Sequence, residues 1–441
     1  MKSIRKKAAA PTMAALAAML ALTACGNNST LNATHSAQPS ASSTSQSGGE
    51  QVKLRFYSWI GGDVGPTIKE INDRFHDKYP NITVEFETAP TDQYETVIKT
   101  RLASGDAPDL LGVYPGMKKD AFVEAGYLMD LSDQAWVSRL IESAKDVAST
   151  DNKVYALPLD SNVIGVIYNK KIFADHGLSI PTDWQEFLDV SEKLKAANVT
   201  PIALGNKDLW ITQLVPYAMA PTAIYQNTPD FDAQMSEGKA TFVGSAWNQM
   251  MSDYVLLNEK GYFNKGILGT TYDQSTQLMA TEKAAMTING NWMLAPIKQA
   301  NPDLDLGMFP LPYNEAGEDA WVSASVGSMT AISATTAHPE EAKLYLDFWA
   351  SPEIAQFYLK EKRAFSTFSD VSVDMDTTAK EMESYLVKGS YNFLDQKWPA
   401  GVQDVMMNQI QNVLVSGGNT SNKIDEMLKK MDEAYKSAVN N

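Results

Sequence analysis

The sequence predicts an α/β fold built on a mostly parallel sheet. Short stretches of alternating apolar residues, typical of strands, take turns with stretches whose apolar residues recur every three or four positions, typical of helices. Residues 53–114 follow the order βαβαβ, which favours parallel strands with helices on both faces. Open sheets of this kind bind ligands beyond the carboxyl ends of their strands.

Turn residues and apolar spacing place the first elements. Residues 53–59 alternate as a strand, which Gly61-Gly62-Asp63 should end. Apolar residues then recur at helical spacing from Ile68 to Tyr79, directly before Pro80. The next strand, helix and strand are predicted at 82–86, 94–102 and 109–114.

Later elements follow from the same signals. A β-branched run within residues 155–169 predicts another strand. Thr182-Asp183-Trp184-Gln185 is typical of a capping box that opens a helix. Further strands are predicted at 285–288 and 304–309, and helices from Pro339, from Pro352 and over 402–439, the last broken at Gly417-Gly418.

The single cysteine, Cys25, directly follows the one long apolar stretch of the chain. An unpaired cysteine in an exported protein indicates an intermolecular partner or a reactive thiol. Residues 1–24 combine a basic start with an apolar run that is short for a membrane span of ~20 residues, which predicts an export signal. Residues 27–49 are rich in Ser, Thr, Asn, Gln, Ala and Gly, which predicts a flexible tether.

Leu22-Thr23-Ala24-Cys25-Gly26 resembles the lipobox of bacterial lipoproteins. The resemblance implies that residues 1–24 are removed, that Cys25 carries a lipid, and that residues 25–50 are a lipidated tether. Acyl chains contribute ~0.8 kcal/mol per buried methylene, so a doubly acylated cysteine would hold the protein to the outer face of a bacterial cell membrane. The alternative is an ordinary signal peptide with a chance cysteine.

The charge and length of the chain restrict its partners. The formal charge is −16, and because residues 1–24 carry four cations, the remainder has −20. An acidic surface repels phosphate backbones and anionic lipid, so no nucleic-acid partner is expected. The residues after position 50 suffice for two domains of roughly 100–200 residues each.

Signals for catalysis and cofactors are weak. The four histidines are far apart without metal-ligand spacing, so no metal site is expected. Neither a G-x-S-x-G motif nor a P-loop occurs, and the glycines at 61–65 lack dinucleotide-binding spacing, so no cofactor is expected either. Paired carboxylates for glycoside hydrolysis remain possible among 53 acidic residues.

The nine tryptophans fall into two groups. Four lie on helical patterns and are expected to pack in the core: Trp136, Trp184, Trp247 and Trp349. Five lie near turns or strand ends, where a ligand cleft would open: Trp59, Trp210, Trp292, Trp321 and Trp398. An indole offers a flat apolar face and one donor, which suits a sugar ring with hydroxyls at its rim. The alternative for each of the five is packing at the rim.

Several segments resemble the solute-binding lipoproteins of ATP-binding-cassette (ABC) sugar importers, the group that includes maltose-binding protein. "AAMTINGNW" (284–292) and "VIGVIYNK" (163–170) carry the most specific similarity. The remaining similarity lies in the wider segments at 53–63, 105–114, 155–170, 282–292 and 338–353. The family implies a two-lobe periplasmic-binding-protein-like fold, each lobe a mostly parallel sheet flanked by helices, joined by a hinge near Asp160, 310–312 and 363–365.

The resemblance also implies lobe boundaries and site residues. Lobe 1 would comprise 51–160 and 313–362, and lobe 2 would comprise 161–312 and 363–441. Trp210, Trp292 and Trp398 would stack on sugar, and Asp63 and Asp160 would accept hydrogen bonds from hydroxyls. Together with Trp321 from the strand-end group, the candidate ligand residues are Trp59, Asp63, Tyr114, Asp160, Asn162, Trp210, Trp292, Trp321, Arg363 and Trp398.

These observations predict a monomeric, non-enzymatic binding protein. It would capture a neutral oligosaccharide and deliver it to the membrane subunits of an ABC permease. Two alternatives stay open: the same fold binding a peptide, polyamine or metal complex, and a secreted glycoside hydrolase or lyase.

Overall fold

A computed structural model describes residues 50–415 and 419–439, without the side chain of Asp63. The described residues belong to one compact unit. Its strands are β1 (Val52–Ser58), β2 (Ile82–Thr88), β3 (Leu110–Val113), β4 (Ser149–Thr150), β5 (Lys153–Val154), β6 (Leu157–Asn169), β7 (Thr200–Ala203), β8 (Ala284–Gly290), β9 (Leu306–Phe309), β10 (Val322–Ile332) and β11 (Ser390–Tyr391).

Helices alternate with these strands. The α-helices are α1 (Gly61–Lys78), α2 (Thr91–Ser104), α3 (Met117–Glu124), α4 (Glu142–Ala148), α5 (Lys170–Asp175), α6 (Trp184–Ala196), α7 (Leu214–Ala220), α8 (Phe231–Ser236), α9 (Ala246–Glu259), α10 (Tyr272–Ala280), α11 (Leu294–Ala300), α12 (Pro339–Trp349), α13 (Pro352–Lys362), α14 (Thr377–Lys380), α15 (Glu383–Leu386), α16 (Val402–Leu414) and α17 (Thr420–Val439). Short 3-10 helices include Leu209–Gln213 and Leu394–Gln396.

One sheet joins most of the strands in the order β2-β1-β3-β10-β6-β8-β7, with β9 beside β6 and β11 beside β10. The outer pairs β1–β2, β1–β3 and β7–β8 are parallel, as the sequence predicts. The central strand β10 instead runs antiparallel to both β3 and β6, and β6 runs antiparallel to β8 and β9. The sheet is therefore mixed, because β6 and β10 pass through its centre in opposite directions.

Buried apolar residues form two separate hydrophobic cores. The first core takes its residues from 52–159 and 326–371, and the second core from 163–322 and 379–435. Strand β6 contributes Leu157 and Leu159 to the first core and Val163 and Ile164 to the second. The chain therefore crosses between the cores within β6, within β10, and again after residue 371.

Sequence patterns located six of the eleven strands and seven of the seventeen α-helices named above, and two of the differences are informative. Helix α1 begins already at Gly61, where the glycines were expected to form a turn after the strand. The central strand β10 was not predicted, because its sequence, VSASVGSMTAI, is rich in serine, alanine and glycine rather than the large β-branched residues that mark a strand.

Helix α6 begins with a cap close to the predicted position. The Asp183 carboxylate accepts a hydrogen bond of 2.9 Å from the backbone N–H of Glu186, and the Glu186 carboxylate accepts one of 2.8 Å from the N–H of Thr182. The two helices expected in the tail are α16 and α17. The break expected at Gly417-Gly418 lies outside the described residues.

Candidate functional site

A cavity of about 470 Å³ opens between the two cores. Its first-core wall comes from the ends of β1 and β3 and the start of α2, and its second-core wall from α7, α10, α16 and the turn after β8. Its charged and aromatic lining residues are Trp59, Asp92, Tyr114, Asp208, Trp210, Tyr217, Tyr272, Asp273, Trp292, Lys362, Phe393 and Asp395. The cavity thus lies beyond the carboxyl ends of parallel strands, where ligand sites of open α/β sheets are found.

Aromatic side chains line both walls. On the first-core wall, Trp59 and Tyr114 stack with ring centres 4.0 Å apart and planes inclined by 19°. On the second-core wall, Trp210 lies 5.2 Å from Tyr272. Trp59, Tyr114 and Trp210 all remain partly exposed. Each wall therefore offers flat apolar surface that is accessible from the cavity.

The turn after β8 positions Trp292. A Cβ atom on Gly290 would lie 2.1 Å from the Trp292 ring, so a glycine is required for the indole to lie against the backbone there. The Asn291 side chain holds the turn, since its oxygen accepts from the N–H of Val163 at 2.8 Å and its amide donates to the carbonyl of Arg363 at 2.8 Å. The turn is thereby fixed to β6, where the chain crosses between the cores.

A buried ion pair lies beside the cavity at this crossing. Lys362 Nζ lies 2.6 Å from Asp160 Oδ2, and their side chains are 12% and 0% exposed. Asp160 also accepts hydrogen bonds from Ser328 Oγ (2.5 Å), Tyr358 OH (3.2 Å) and Asn162 Nδ2 (2.5 Å). Burial lowers the pKa of Lys362, but the Asp160 carboxylate and the Tyr358 hydroxyl outweigh it and raise the pKa.

Strand β10 is adapted to this network. Its register with β6 shifts on both sides of Ser328. A Cβ atom on Gly327 would lie 2.0 Å from Asn162 Nδ2 and 2.7 Å from Asp160 Oδ1. The glycine therefore provides the space in which the two polar side chains of β6 pair with each other.

Carboxylates outnumber cations around the cavity. Asp92, Asp208, Asp273 and Asp395 line it, whereas the lining cation, Lys362, is paired with Asp160. Asp395 accepts a hydrogen bond of 2.8 Å from Tyr217 OH. Burial raises the pKa of Asp395, and the nearby ammonium of Lys118 opposes this effect. The cavity therefore provides hydrogen-bond acceptors and disfavours anions.

The structure brings half of the predicted ligand residues together. Trp59, Tyr114, Asn162, Trp210 and Trp292 line the cavity. Asp63 lies in α1, and its side chain is outside the described part of the structure, as is Cys25.

The other four candidates lie outside the cavity lining. Asp160 is fully buried beneath it, with its oxygens engaged by protein donors. Trp398 is 1% exposed and packs in the second core, 5.6 Å from Trp247. Trp321 packs against Gly389, and the Arg363 guanidinium pairs with Asp376.

Sequence reasoning missed several lining residues, chiefly Asp92, Tyr217, Lys362, Phe393 and Asp395. Asp92 and Lys362 lie in the first turn of α2 and the last turn of α13, where charged residues are common for reasons of helix electrostatics alone. Phe393 is one of the two irregular residues between β11 and the 3-10 helix Leu394–Gln396, and Asp395 lies within that helix. Lys362 directly precedes the expected Arg363, but no local signal in the sequence separates it from the other charged residues.

The described residues offer no metal centre and no membrane-spanning element. No group of three or more His, Cys, Asp or Glu side chains that could hold a metal ion occurs in 50–415 or 419–439. Within the same part of the chain, every helix is too short or too polar to cross a bilayer.

Known proteins share both the sequence and the fold. The family model of bacterial extracellular solute-binding proteins matches residues 61–356. The multiple sugar-binding protein of Streptococcus mutans is 30% identical over 321 residues, covering 72% of this chain and 75% of the relative. The melibiose/raffinose/stachyose-binding protein MelE of Bacillus subtilis is 25% identical over 363 residues, covering 80% of this chain and 83% of the relative.

Two solved structures show the same two-lobe α/β fold. A Bacillus licheniformis sugar transporter protein in complex with stachyose is 23% identical and aligns with a TM-score of 0.75 over 88% of this chain and 100% of its own. RafE in complex with raffinose is 23% identical and aligns with a TM-score of 0.74 over 86% of this chain and 99% of its own. The chain therefore belongs to the family of bacterial extracellular solute-binding proteins, which bind a solute and are not enzymes.

Proposed function

We propose that this protein captures a neutral oligosaccharide between its two cores and delivers it to the membrane subunits of an ABC importer. The observation that carries the proposal is the aromatic-walled cavity, in which Trp59 and Tyr114 face the second-core residues Trp210 and Trp292. Aromatic rings on both walls suit the apolar faces of sugar rings. The carboxylates of the lining accept hydrogen bonds from sugar hydroxyls, and its amides accept or donate them.

Charge supports a ligand without acidic groups. A carboxylate or phosphate on the sugar would meet the four lining aspartates, while the Lys362 ammonium is already paired with Asp160. Placing like charges together in a partly desolvated cavity is unfavourable. The sugars named for the relatives narrow the choice of candidate ligand further. Melibiose, raffinose and stachyose are therefore the first sugars to test.

Lobe closure is the proposed mechanism of capture. The sequence-based lobes, 51–160 with 313–362 and 161–312 with 363–441, need adjustment at two boundaries, because Val322 packs in the second core and Ala364, Phe368 and Val371 pack in the first. The hinge is proposed to lie where β6 and β10 cross between the cores. A ligand that contacts both walls stabilises the closed form, because it shifts the equilibrium by its difference in affinity for the two forms. The closed protein, acting as a monomer, is then the form that the permease recognises.

A lipid on Cys25 is proposed to retain the protein at the outer face of the cell membrane, with residues 25–50 as the tether. The basic and apolar character of residues 1–24 and the sequence around Cys25 support this proposal. Growing the bacterial host with labelled palmitate tests it. Label should enter the wild-type protein, and a Cys25→Ser variant should be unlabelled and appear in the medium; equal labelling of both would contradict the anchor.

The binding proposal is tested by tryptophan fluorescence of residues 50–441, titrated with melibiose, raffinose, stachyose and a wider sugar panel. We expect a saturable change with one class of sugar, which chromatography recovers intact. The Trp292→Ala variant should bind about tenfold more weakly, in line with ~0.5–1.5 kcal/mol for an aromatic pair beyond its buried area. The matched Trp321→Ala variant, changed outside the cavity, should keep the wild-type affinity.

A second candidate follows from the excess of lining carboxylates. Four aspartates against one paired lysine would also attract a cationic ligand such as a polyamine. Titration with spermidine in the same fluorescence assay distinguishes a polyamine ligand from an oligosaccharide. Saturation by spermidine with no response to any sugar would replace the oligosaccharide by a basic ligand.

A further inference from the structure

We propose that Asp92 is a positioning residue that links the two walls of the cavity and holds the segment bearing Trp210 in its ligand-binding position. The inference rests on the proposed function, since it assigns Asp92 a role in capture of the sugar. Asp92 lies in the first turn of α2, whose buried residues Tyr94, Ile98 and Leu102 belong to the first core. Trp210 packs against the second core.

The link consists of two hydrogen bonds between the walls. The Asp92 carboxylate accepts from the backbone N–H of Leu209 at 3.0 Å through Oδ2 and from that of Trp210 at 3.3 Å through Oδ1. Both acceptor oxygens of one side chain are thus directed to consecutive amides of the opposite wall. Hydrogen bonds to a charged acceptor are stronger than those between neutral groups, although the solvent exposure of Asp92 weakens these two.

The N-terminus of the 3-10 helix Leu209–Gln213 has no side-chain cap from the second-core wall. Asp208, the residue directly before Leu209–Gln213, makes no side-chain hydrogen bond to it. Its carboxylate instead accepts from the N–H of Tyr272 at 2.6 Å, which holds the start of α10. The amides of Leu209 and Trp210 therefore obtain their carboxylate partner from the other core, and only when the two walls are close.

This arrangement couples closure to the placement of one stacking ring. Opening of the cavity separates α2 from Leu209–Gln213, so the two hydrogen bonds pass to water. On closure they re-form and fix the backbone of Trp210, whose ring lines the cavity beside Asp92. Asp92 thereby stabilises the closed, loaded form without being required to contact the sugar, and its loss should appear mainly in the rate of ligand release.

The first test is stopped-flow measurement of raffinose binding to residues 50–441. We expect Asp92→Ala to raise the dissociation rate constant about threefold to fivefold, with little change in the association rate constant. Asp92→Asn, which keeps one acceptor oxygen, should lie between the wild type and Asp92→Ala. Asp106→Ala serves as the matched control, because Asp106 is a carboxylate of the same core that pairs with Arg55 on the surface.

The second test needs no ligand. Because Cys25 is the single cysteine, residues 50–441 with Ser104→Cys and Lys265→Cys accept a pair of spin labels. Both positions are exposed, the first beside Leu102 of the first core and the second between Phe263 and Ile267 of the second. Asp92→Ala should shift the distance distribution between the labels to longer values in the sugar-free protein. Urea unfolding checks that each variant retains the wild-type fold.

The outcomes separate this inference from the proposed function. If the wild type binds raffinose, dissociation of the Asp92→Ala variant at the wild-type rate overturns the role of Asp92 and leaves the function intact. If the wild type binds no raffinose, the distances between the spin labels test the role of Asp92 independently of the sugar. A longer distance in Asp92→Ala supports the link between the walls, and an unchanged distance overturns it.

Discussion

Removal of the Lys362 ammonium should destabilise the protein by about 3 kcal/mol. Breaking a buried ion pair by deleting one partner costs ~3–5 kcal/mol, because the remaining charge is left buried and uncompensated. Here the remaining charge would be Asp160, whose side chain is fully buried. Donors from Ser328, Tyr358 and Asn162 remain in place, which favours the lower end of the range.

The assay is urea unfolding of Lys362→Met, followed by far-ultraviolet circular dichroism at pH 7. Methionine keeps most of the lysine stem, so the change tests the charge rather than the packing. The double variant Asp160→Asn/Lys362→Met removes both charges, and we expect it to recover at least half of the lost stability. A loss below about 1 kcal/mol, or single-variant losses that simply add in the double variant, would refute the reasoning.

The pH dependence gives an independent check on the same pair. The Asp160 carboxylate and Tyr358 raise the pKa of Lys362 against the opposing effect of burial. When the pKa of a lysine is higher in the folded state, the lysine makes its full contribution to the free energy of unfolding at any pH below its unfolded pKa of ~10.4. That contribution should be constant from pH 7 to 9 and decline only at more alkaline pH. The difference in free energy of unfolding between the wild type and Lys362→Met should therefore show the same pH dependence.

Three further predictions address packing and ligand binding. Gly327→Ala should lower the free energy of unfolding by about 1–3 kcal/mol, because the new methyl group would overlap the bonded Asn162 side chain; unchanged urea stability would contradict this. Trp398→Phe should cost about 2 kcal/mol in urea, because the indole is buried against Phe242, yet leave sugar affinity within twofold; a tenfold loss of affinity would place Trp398 at the ligand after all. Sugar affinity should weaken as the pH is lowered from neutrality, and at a higher pH than for an ordinary aspartate, because burial raises the pKa of Asp395 and its protonated form is a poorer acceptor. Asp395→Asn should flatten this dependence in fluorescence titrations, and a parallel decline in both proteins would exclude Asp395 as the cause.

The positions of the tryptophans in the structure show what local sequence patterns can and cannot predict. Trp59 directly follows β1, and Trp292 lies two residues after the end of β8; both strand ends could be recognised from the glycines and asparagines beside them. Trp398 shows a similar local signal, with Pro399 after it, but the structure packs it in the second core. A turn residue indicates where the chain bends, whereas burial depends on which distant segments cover the bend.

The charged residues around the cavity were harder to predict than the aromatic ones. Asp92, Lys362 and Asp395 are three of many charged residues, and nothing in their immediate neighbours distinguishes them from solvated surface charges. Their roles come from partners 117, 202 and 178 positions away in the chain, namely Leu209, Asp160 and Tyr217. Such pairs arise from tertiary contacts, so a single sequence carries no local trace of them.

The sequence by itself determined the alternation of strands and helices, the aromatic residues at strand ends and the acidic character of the protein. These properties depend on side-chain periodicity and turn chemistry, which act over a few residues. Only the tertiary structure decided that β10, rich in small residues, runs through the centre of the sheet, and that Lys362 rather than Arg363 lines the cavity. Both follow from close packing where the chain crosses between the cores, since the space left there by Gly327 is filled by side chains of β6.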